Sequence, residues 1–264
     1  MKAFHVICGL PRSGSTLLCN ILNQNPAFNV VHTSPCATDI QRLCAGFTDV
    51  PEYKGLMAQS VFATDELMRE KARGIIHKEH SGKGETCFDK NRHWGAMQFI
   101  LAQLFPGAKI ICCVRDLRAV FGSFEKRWRR NPLIQLPPGP TIRARMQNQF
   151  HPDGMIGGAL NGIEDLVLAE NRSVMFLHYE ALVQNPQMQL DRLYQHINES
   201  PYEHDFENVE STATDPDWLY LNKFPHDGSG KVEDKSDWQQ YVPQPIANEI
   251  MQSHAAYNQT FGYV

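Results

Sequence analysis

Between Gly9 and Thr16 the chain sets two glycines, an arginine and three hydroxyls in one short run, Gly9-Leu10-Pro11-Arg12-Ser13-Gly14-Ser15-Thr16. Each of these residue types suits an anion. Glycines make a turn, and the helix predicted from Thr16, Leu17, Leu18, Ile21 and Leu22 aims unpaired backbone N–H groups and its positive dipole end at that turn. The Arg12 guanidinium is a planar fork that matches phosphate or sulfate. Arg115, Ser123 and Arg127 form a second cluster. Arg115 follows the most apolar segment of the chain, and Ser123 and Arg127, at i and i+4, share one helix face. Together they can converge on a second phosphate. Arg129 and Arg130 read instead as solvated cations complementing the negative end of that helix.

Both clusters need a scaffold that brings them to one edge. Residues 3–8 are mostly apolar and read as a buried strand, followed by the glycine turn and a helix that Pro26 ends. Further strands are predicted at 30–32, 86–90, 109–114 and 174–178. Residues 33–46 read as a loop leading into a helix, with Asp39, Ile40, Leu43 and Cys44 spaced helically, and further helices are expected at about 61–73, 94–104, 116–130, 156–170 and 186–197. In the run Lys109-Ile-Ile-Cys-Cys-Val114 the five residues after the lysine are continuously apolar, as in a parallel strand covered on both faces. Segments 77–85 and 132–140 read as loops, as does the polar stretch 212–238, and a final helix is expected at about 245–258. Strands alternating with helices predict an α/β fold: a P-loop-like three-layer sandwich with a central parallel sheet, spanning residues 1–264 as one domain. In such sheets ligands bind beyond the carboxyl ends of the strands.

The 264 residues are 42% hydrophobic and 20% charged, which describes a globular protein with a sizeable core. A net charge of −4 argues against general binding to nucleic acid or to a membrane surface. No apolar run has the length of a membrane span, and residues 1–10 do not read as a signal peptide. The seven cysteines form no C-x-x-C pair and read as reduced, mostly core residues, which places the chain in the cytoplasm. His77 and His80 read as surface histidines without a third metal ligand nearby. The sequence leaves the oligomeric state open.

The spacing Gly9-x4-Gly14-x-Thr16 almost reproduces the phosphate-binding loop of nucleotide hydrolases, but Ser15 stands where their lysine would be and Arg12 lies inside the loop. With both clusters in view, the chain resembles the PAPS-dependent sulfotransferases. Pro-Arg-Ser-Gly-Ser-Thr is similar to that family's 5′-phosphosulfate loop, and the run Arg115 to Arg127 resembles its 3′-phosphate element, with arginine and serine eight apart. The arginine after the serine, Arg127, is closest to the protein-tyrosine sulfotransferase branch and its bacterial relatives. Phe88-Asp89-Lys90 resembles the segment carrying the family's catalytic lysine. His178-Tyr179-Glu180 resembles one whose tyrosine contacts the cofactor, and the segment 228–238 resembles a late loop that closes over the nucleotide through Lys231.

The resemblance implies in-line transfer of a sulfuryl group from PAPS to an acceptor hydroxyl, releasing PAP, without a metal. Pro11, Arg12, Ser13, Gly14, Ser15, Thr16, Arg115, Ser123, Arg127, Tyr179 and Lys231 would bind the cofactor. Arg12 and Lys90 would stabilise charge on the departing phosphate. For the general base the chain departs from the family: Arg92 occupies the place of one branch's histidine, and the region after the loop has no carboxylate where another branch carries a glutamate. His32 is the nearest titratable group, with Asp39 and Glu79 as alternatives. The acceptor, a small molecule, glycan, lipid or peptide, is expected against segments 33–83 and 131–158. Two other functions fit the loop: an atypical P-loop kinase or NTPase using Asp116 for Mg²⁺, and a nucleotide-binding module without catalysis.

Overall fold

The computed structural model describes residues 1–82, 84–130, 139–211 and 229–263. Its centre is a parallel sheet with five strands among those residues: β1 (Ala3–Gly9), β2 (Phe28–Val31), β3 (Thr86–Lys90), β4 (Ile110–Val114) and β5 (Val174–His178). Their spatial order is β2-β3-β1-β4-β5. The order reverses around β1, so the crevice beyond the ends of β1, β3 and β4 is where such a sheet takes a ligand. Register places Gly9 opposite Cys113, and Ile7 opposite both Lys90 and Ile111.

Alternate residues of each strand enter two separate apolar layers. Phe4, Val6, Cys8, Cys87, Ile110 and Cys112 pack on one side, against α2 (Cys36–Asp49), α4 (Val61–Glu79), α5 (Gln98–Leu104), α6 (Leu117–Arg130), α8 (Gly157–Leu168) and α11 (Gln244–Ser253). Ile7, Phe88, Ile111 and Cys113 face the other side, against α1 (Ser15–Leu22), α9 (Tyr179–Gln184) and α10 (Pro186–Ile197). This is the predicted three-layer arrangement, and 86–90, 174–178 and 186–197 fall where the sequence put them.

Several elements differ from expectation for physical reasons. The helices α3 (Pro51–Gln59), α7 (Ile142–Phe150) and α9 were not foreseen. None of the described residues of α3 is buried, so no apolar stripe announces it. The helix expected to end at 73 continues to Glu79, where Ala72 and Ile76 keep its core face going. His80 then caps it, and it is buried rather than a surface histidine. The segment 94–104 is a 3-10 turn, Arg92–Met97, feeding α5. The last helix breaks at His254 into α11 and α12 (Ala255–Phe261). Of the predicted loops, 131–138 and 212–228 lie outside the described residues. No helix among the described residues is long and apolar enough to cross a membrane.

Candidate active site

At the carboxyl end of β1 the backbone turns through positions only certain residues tolerate. Gly9 has φ +111°, and a Cβ there would stand 2.1 Å from the Cys113 carbonyl oxygen, so β1 and β4 approach this closely only with glycine between them. Leu10 N–H donates to that same carbonyl at 3.0 Å. Arg12 adopts φ 62°, a left-handed conformation that costs a non-glycine residue energy and marks a loop fixed by its surroundings. The buried Ser13 hydroxyl donates to the Leu10 carbonyl at 2.6 Å and pins the turn from inside. Gly14, φ 82°, caps α1, and a Cβ on it would lie 2.7 Å from Tyr179 Cδ2. Pro11 and Thr16 are buried, Ser15 half-buried. The α1 N-terminus therefore opens onto this loop, as an anion site requires.

The second cluster meets the first directly. Arg115 leaves β4 almost fully buried, and its Nη1 donates to the Arg12 carbonyl at 2.8 Å. Its guanidinium lies over the Tyr179 ring, 3.8 Å from the centroid, and the Tyr257 hydroxyl bonds both its N–H and its carbonyl. From α6, the Ser123 hydroxyl accepts from Arg12 Nε at 2.8 Å. Arg12, Gly14, Arg115, Ser123, Arg127 and Tyr179 line one cleft of about 260 Å³. The two anion sites read from sequence are thus neighbouring parts of a single cationic cleft.

The late segment closes one side of this cleft. Gly230 pairs with Val209 through two backbone hydrogen bonds, and Val232 N–H donates to the Phe206 carbonyl. Lys231 lines the cleft but is salt-bridged to Glu207 at 2.9 Å, which holds its pKa above the usual lysine value. Lys126 pairs with Asp237, and Lys126, Arg130 and Lys235 also line the cleft. Arg130 is exposed at the helix end, in line with its sequence reading, and it also lines the cleft. Arg129, expected to be a solvated cation at the helix end, instead donates to the Tyr241 carbonyl at 2.7 Å, a contact set by the segment after Trp238. Trp238 was missed. It packs where a Cβ on Gly122 would fall 2.6 Å from its own Cβ, and Arg118 lies 5.1 Å over its ring. A glycine on the inner face of α6 was the available signal.

Lys90 sits at the end of β3 and donates from Nζ to Thr16 Oγ1 at 2.8 Å, which brings it to the loop. His32 lies just beyond β2, buried, with its Nε2 3.3 Å from Asn23 Nδ2. Burial first, and the Lys90 charge second, push its pKa down to about 4, so it is neutral at pH 7. Asp39 on α2 pairs with Arg42 at 3.6 Å. Glu79 is exposed at the end of α4, next to His80, whose carbonyl accepts from Asn29 near the start of β2. Asp116, which a Mg²⁺-dependent reading would need, is gripped by Arg118 through Nε and Nη2 at 3.0 and 2.8 Å.

Residues 6–203 match the sulfotransferase family. Among solved structures the chain is similar to mouse sulfotransferase SULT7A1 complexed with PAP: 14% identity, TM-score 0.60, covering 100% of this chain and 89% of that one. It is also similar to the sulfotransferase domain from the curacin biosynthetic pathway, at 19% identity and TM-score 0.53, covering 97% and 98%. Retinol dehydratase in complex with androsterone and inactive cofactor PAP gives 14% identity and TM-score 0.51, covering 95% and 80%. These likenesses establish the shared fold. No curated protein matches the chain.

Proposed function

Because the chain belongs to the sulfotransferase family, we propose that it moves a sulfuryl group from PAPS to an acceptor hydroxyl by in-line transfer and releases PAP. The observation that carries this reading is the single cleft in which Arg12 and the α1 N-terminus meet Arg115, Ser123 and Arg127. Its two cationic ends suit a nucleotide phosphorylated at both the 3′ and 5′ positions. The loop amides, Arg12, Ser13, Ser15 and Thr16 would take the 5′-phosphosulfate. Arg115, Ser123, Arg127 and Lys231 would take the 3′-phosphate, with Tyr179 packed beneath Arg115 and against Gly14.

Negative charge builds on the bridging oxygen and the departing phosphate as the S–O bond breaks. Fixed cations there favour the transition state over the ground state. Lys90, held on Thr16, is placed to serve that oxygen, and a metal has no step in this scheme. His32 is our choice of base. It is neutral at pH 7 and senses the Lys90 charge, whereas Asp39 is paired with Arg42 and Glu79 faces solvent. Its depressed pKa makes it a weak base, suited to a proton that leaves late, once the acceptor oxygen has begun to bond to sulfur.

A small-molecule acceptor is supported by the androsterone in the retinol dehydratase complex. Helices α2–α4, with Leu56, Met57, Val61 and Phe62 exposed, would form the acceptor side. Seven free cysteines, six of them buried, support a reducing, cytoplasmic setting. The test is thermal shift with PAP, ADP and ATP·Mg²⁺. Stabilisation that grows with PAP concentration without metal is expected, by mass action on the native state. Stabilisation by ATP·Mg²⁺ alone would favour a kinase or NTPase and overturn the proposal.

A further inference from the structure

Behind Lys90, on the other face of β3, lies a buried polar cluster that the proposed chemistry does not use. Asp89 is fully buried; Trp94 Nε1 donates to its Oδ1 at 2.6 Å, and His80 Nε2 donates to its Oδ2 at 2.9 Å. The thiol of Cys36 belongs to the same group, since one ligand-type atom each from Cys36, His80 and Asp89 lies within 4.8 Å of the others. Cys36 is the first residue of α2 and His80 caps α4. Both ends of the helical insert therefore converge on one carboxylate.

Strand alternation gives this carboxylate its reach. Cys87 faces the layer that contains Trp94 and Cys36, and Asp89, two residues on, shares that face; Phe88 and Lys90 face the opposite layer. Asp89 is thus the residue directly before Lys90, bonded from behind, while Lys90 reaches Thr16 in front. The next residue is held as well: Asn91 N–H donates to the Ile7 carbonyl at 3.0 Å, and its side chain donates to the Ser34 carbonyl at 2.8 Å. The Phe4 ring meets His80 edge-on at 5.3 Å, so the imidazole has little room to turn.

A buried ionic pair is a poor way to gain stability, because desolvation offsets its attraction and an apolar pair of the same shape serves as well. In some proteins such a pair instead specifies a single geometry. We propose that Asp89 is a positioning residue: with His80 and Trp94 it fixes the end of β3 from behind, and so couples the seating of the α2–α4 insert to the lysine facing the transferred group. The inference rests on the role given to Lys90 in the proposed function. The Cys36, His80 and Asp89 spacing would also suit a metal ion, but here both carboxylate oxygens are already engaged by N–H donors.

The test compares Asp89→Ala, Asp89→Asn and His80→Gln. One readout needs no substrate: the ¹³C-methyl resonance of reductively dimethylated Lys90, assigned by its loss in Lys90→Arg. In Asp89→Ala this resonance is expected to move towards that of an exposed lysine. PAP affinity should stay within threefold of wild type, and PAP release from PAPS, read as slow transfer of the sulfuryl group to water with sulfate as co-product, should fall at least tenfold. Asp89→Asn, which keeps an acceptor for Trp94, should return release to within threefold, and His80→Gln should lie between the two. If Asp89→Ala fails to fold, His80→Gln carries the comparison. An unmoved Lys90 resonance in the folded variants would overturn the proposal, as would zinc retained stoichiometrically by wild type and lost in Cys36→Ser. A wild type that neither binds PAP nor releases it from PAPS would defeat the sulfuryl-transfer reading alone, because the resonance would still decide this one.

Discussion

The loop 9–16 and the helical insert 36–79 flank the same strand ends but are built in opposite ways. In the loop, nearly every group is committed. Gly9 and Gly14 stand where any Cβ would collide, Ser13 and Arg12 are bonded, and Arg115 closes over the turn. In the insert, α3 has no buried residue, and Val61 and Phe62 are 67% and 78% exposed. The insert is held by the core faces of α2 and α4, through Ala37, Ile40, Ala72 and Ile76, and its two ends meet at Cys36 and His80. Under the proposed function the loop would be the phosphate site, which demands fixed donors, and the insert the acceptor wall, which has only to present apolar surface of a suitable shape. Substitutions should therefore be felt sharply in the first region and weakly in the second.

The largest effect is expected from Lys90→Ala. Turnover should fall by about 10²-fold or more, as for loss of one preorganised charge-stabilising donor, while calorimetry finds PAP binding nearly unchanged. Lost PAP binding would mean that the Lys90–Thr16 contact is structural. Next comes Arg115→Ala, which removes a buried cation and the bond holding the Arg12 carbonyl. At about 1.5–3 kcal/mol for a charge-assisted hydrogen bond, PAP should bind about 10- to 100-fold more weakly. Gly14→Ala should cost about 1–3 kcal/mol of stability from its left-handed backbone alone and weaken PAP as Tyr179 is displaced, both visible in a ligand-dependent melting curve.

These residues were legible because their chemistry is local. The turn glycines, Arg12 and the hydroxyls are contiguous, and Arg115, Ser123 and Arg127 follow one strand-to-helix step. Pro186 and the left-handed Asn198 bracket α10, so its ends could be read to the residue. Illegible features were those set by tertiary contact. His80 looks like a solvent-facing residue until α4 carries it under the sheet to Asp89, and Trp238 joins the cleft only because Gly122 leaves it space. The exposed helix α3 lacks the periodicity that would have announced it.

A smaller effect should come from pH. Burial by itself depresses the His80 imidazole, but the hydrogen bond to Asp89, with the Cys36 and Cys87 thiols adding to it, outweighs burial and lifts it to about 11. A raised pKa means that the stabilisation is whole below the unfolded value of 6.5 and drains away as pH climbs towards 11. The difference in melting midpoint between wild type and His80→Gln should therefore be greatest near neutral or mildly acidic pH and shrink towards about pH 10. A gap that widens with pH would contradict the charged pair. The smallest effect is expected from Phe62→Ser on the insert, with stability within about 0.5 kcal/mol and PAP affinity unchanged. A large loss there would erase the contrast between the two regions.

The most direct measurement is a crystal structure of the chain soaked with PAP. One nucleotide is expected to span the cleft, its 5′-phosphate on the amides and side chains of residues 11–16 and its 3′-phosphate between Arg115, Ser123 and Arg127. Phosphates bound elsewhere, or Arg12 and Arg115 contacting no common ligand, would contradict it.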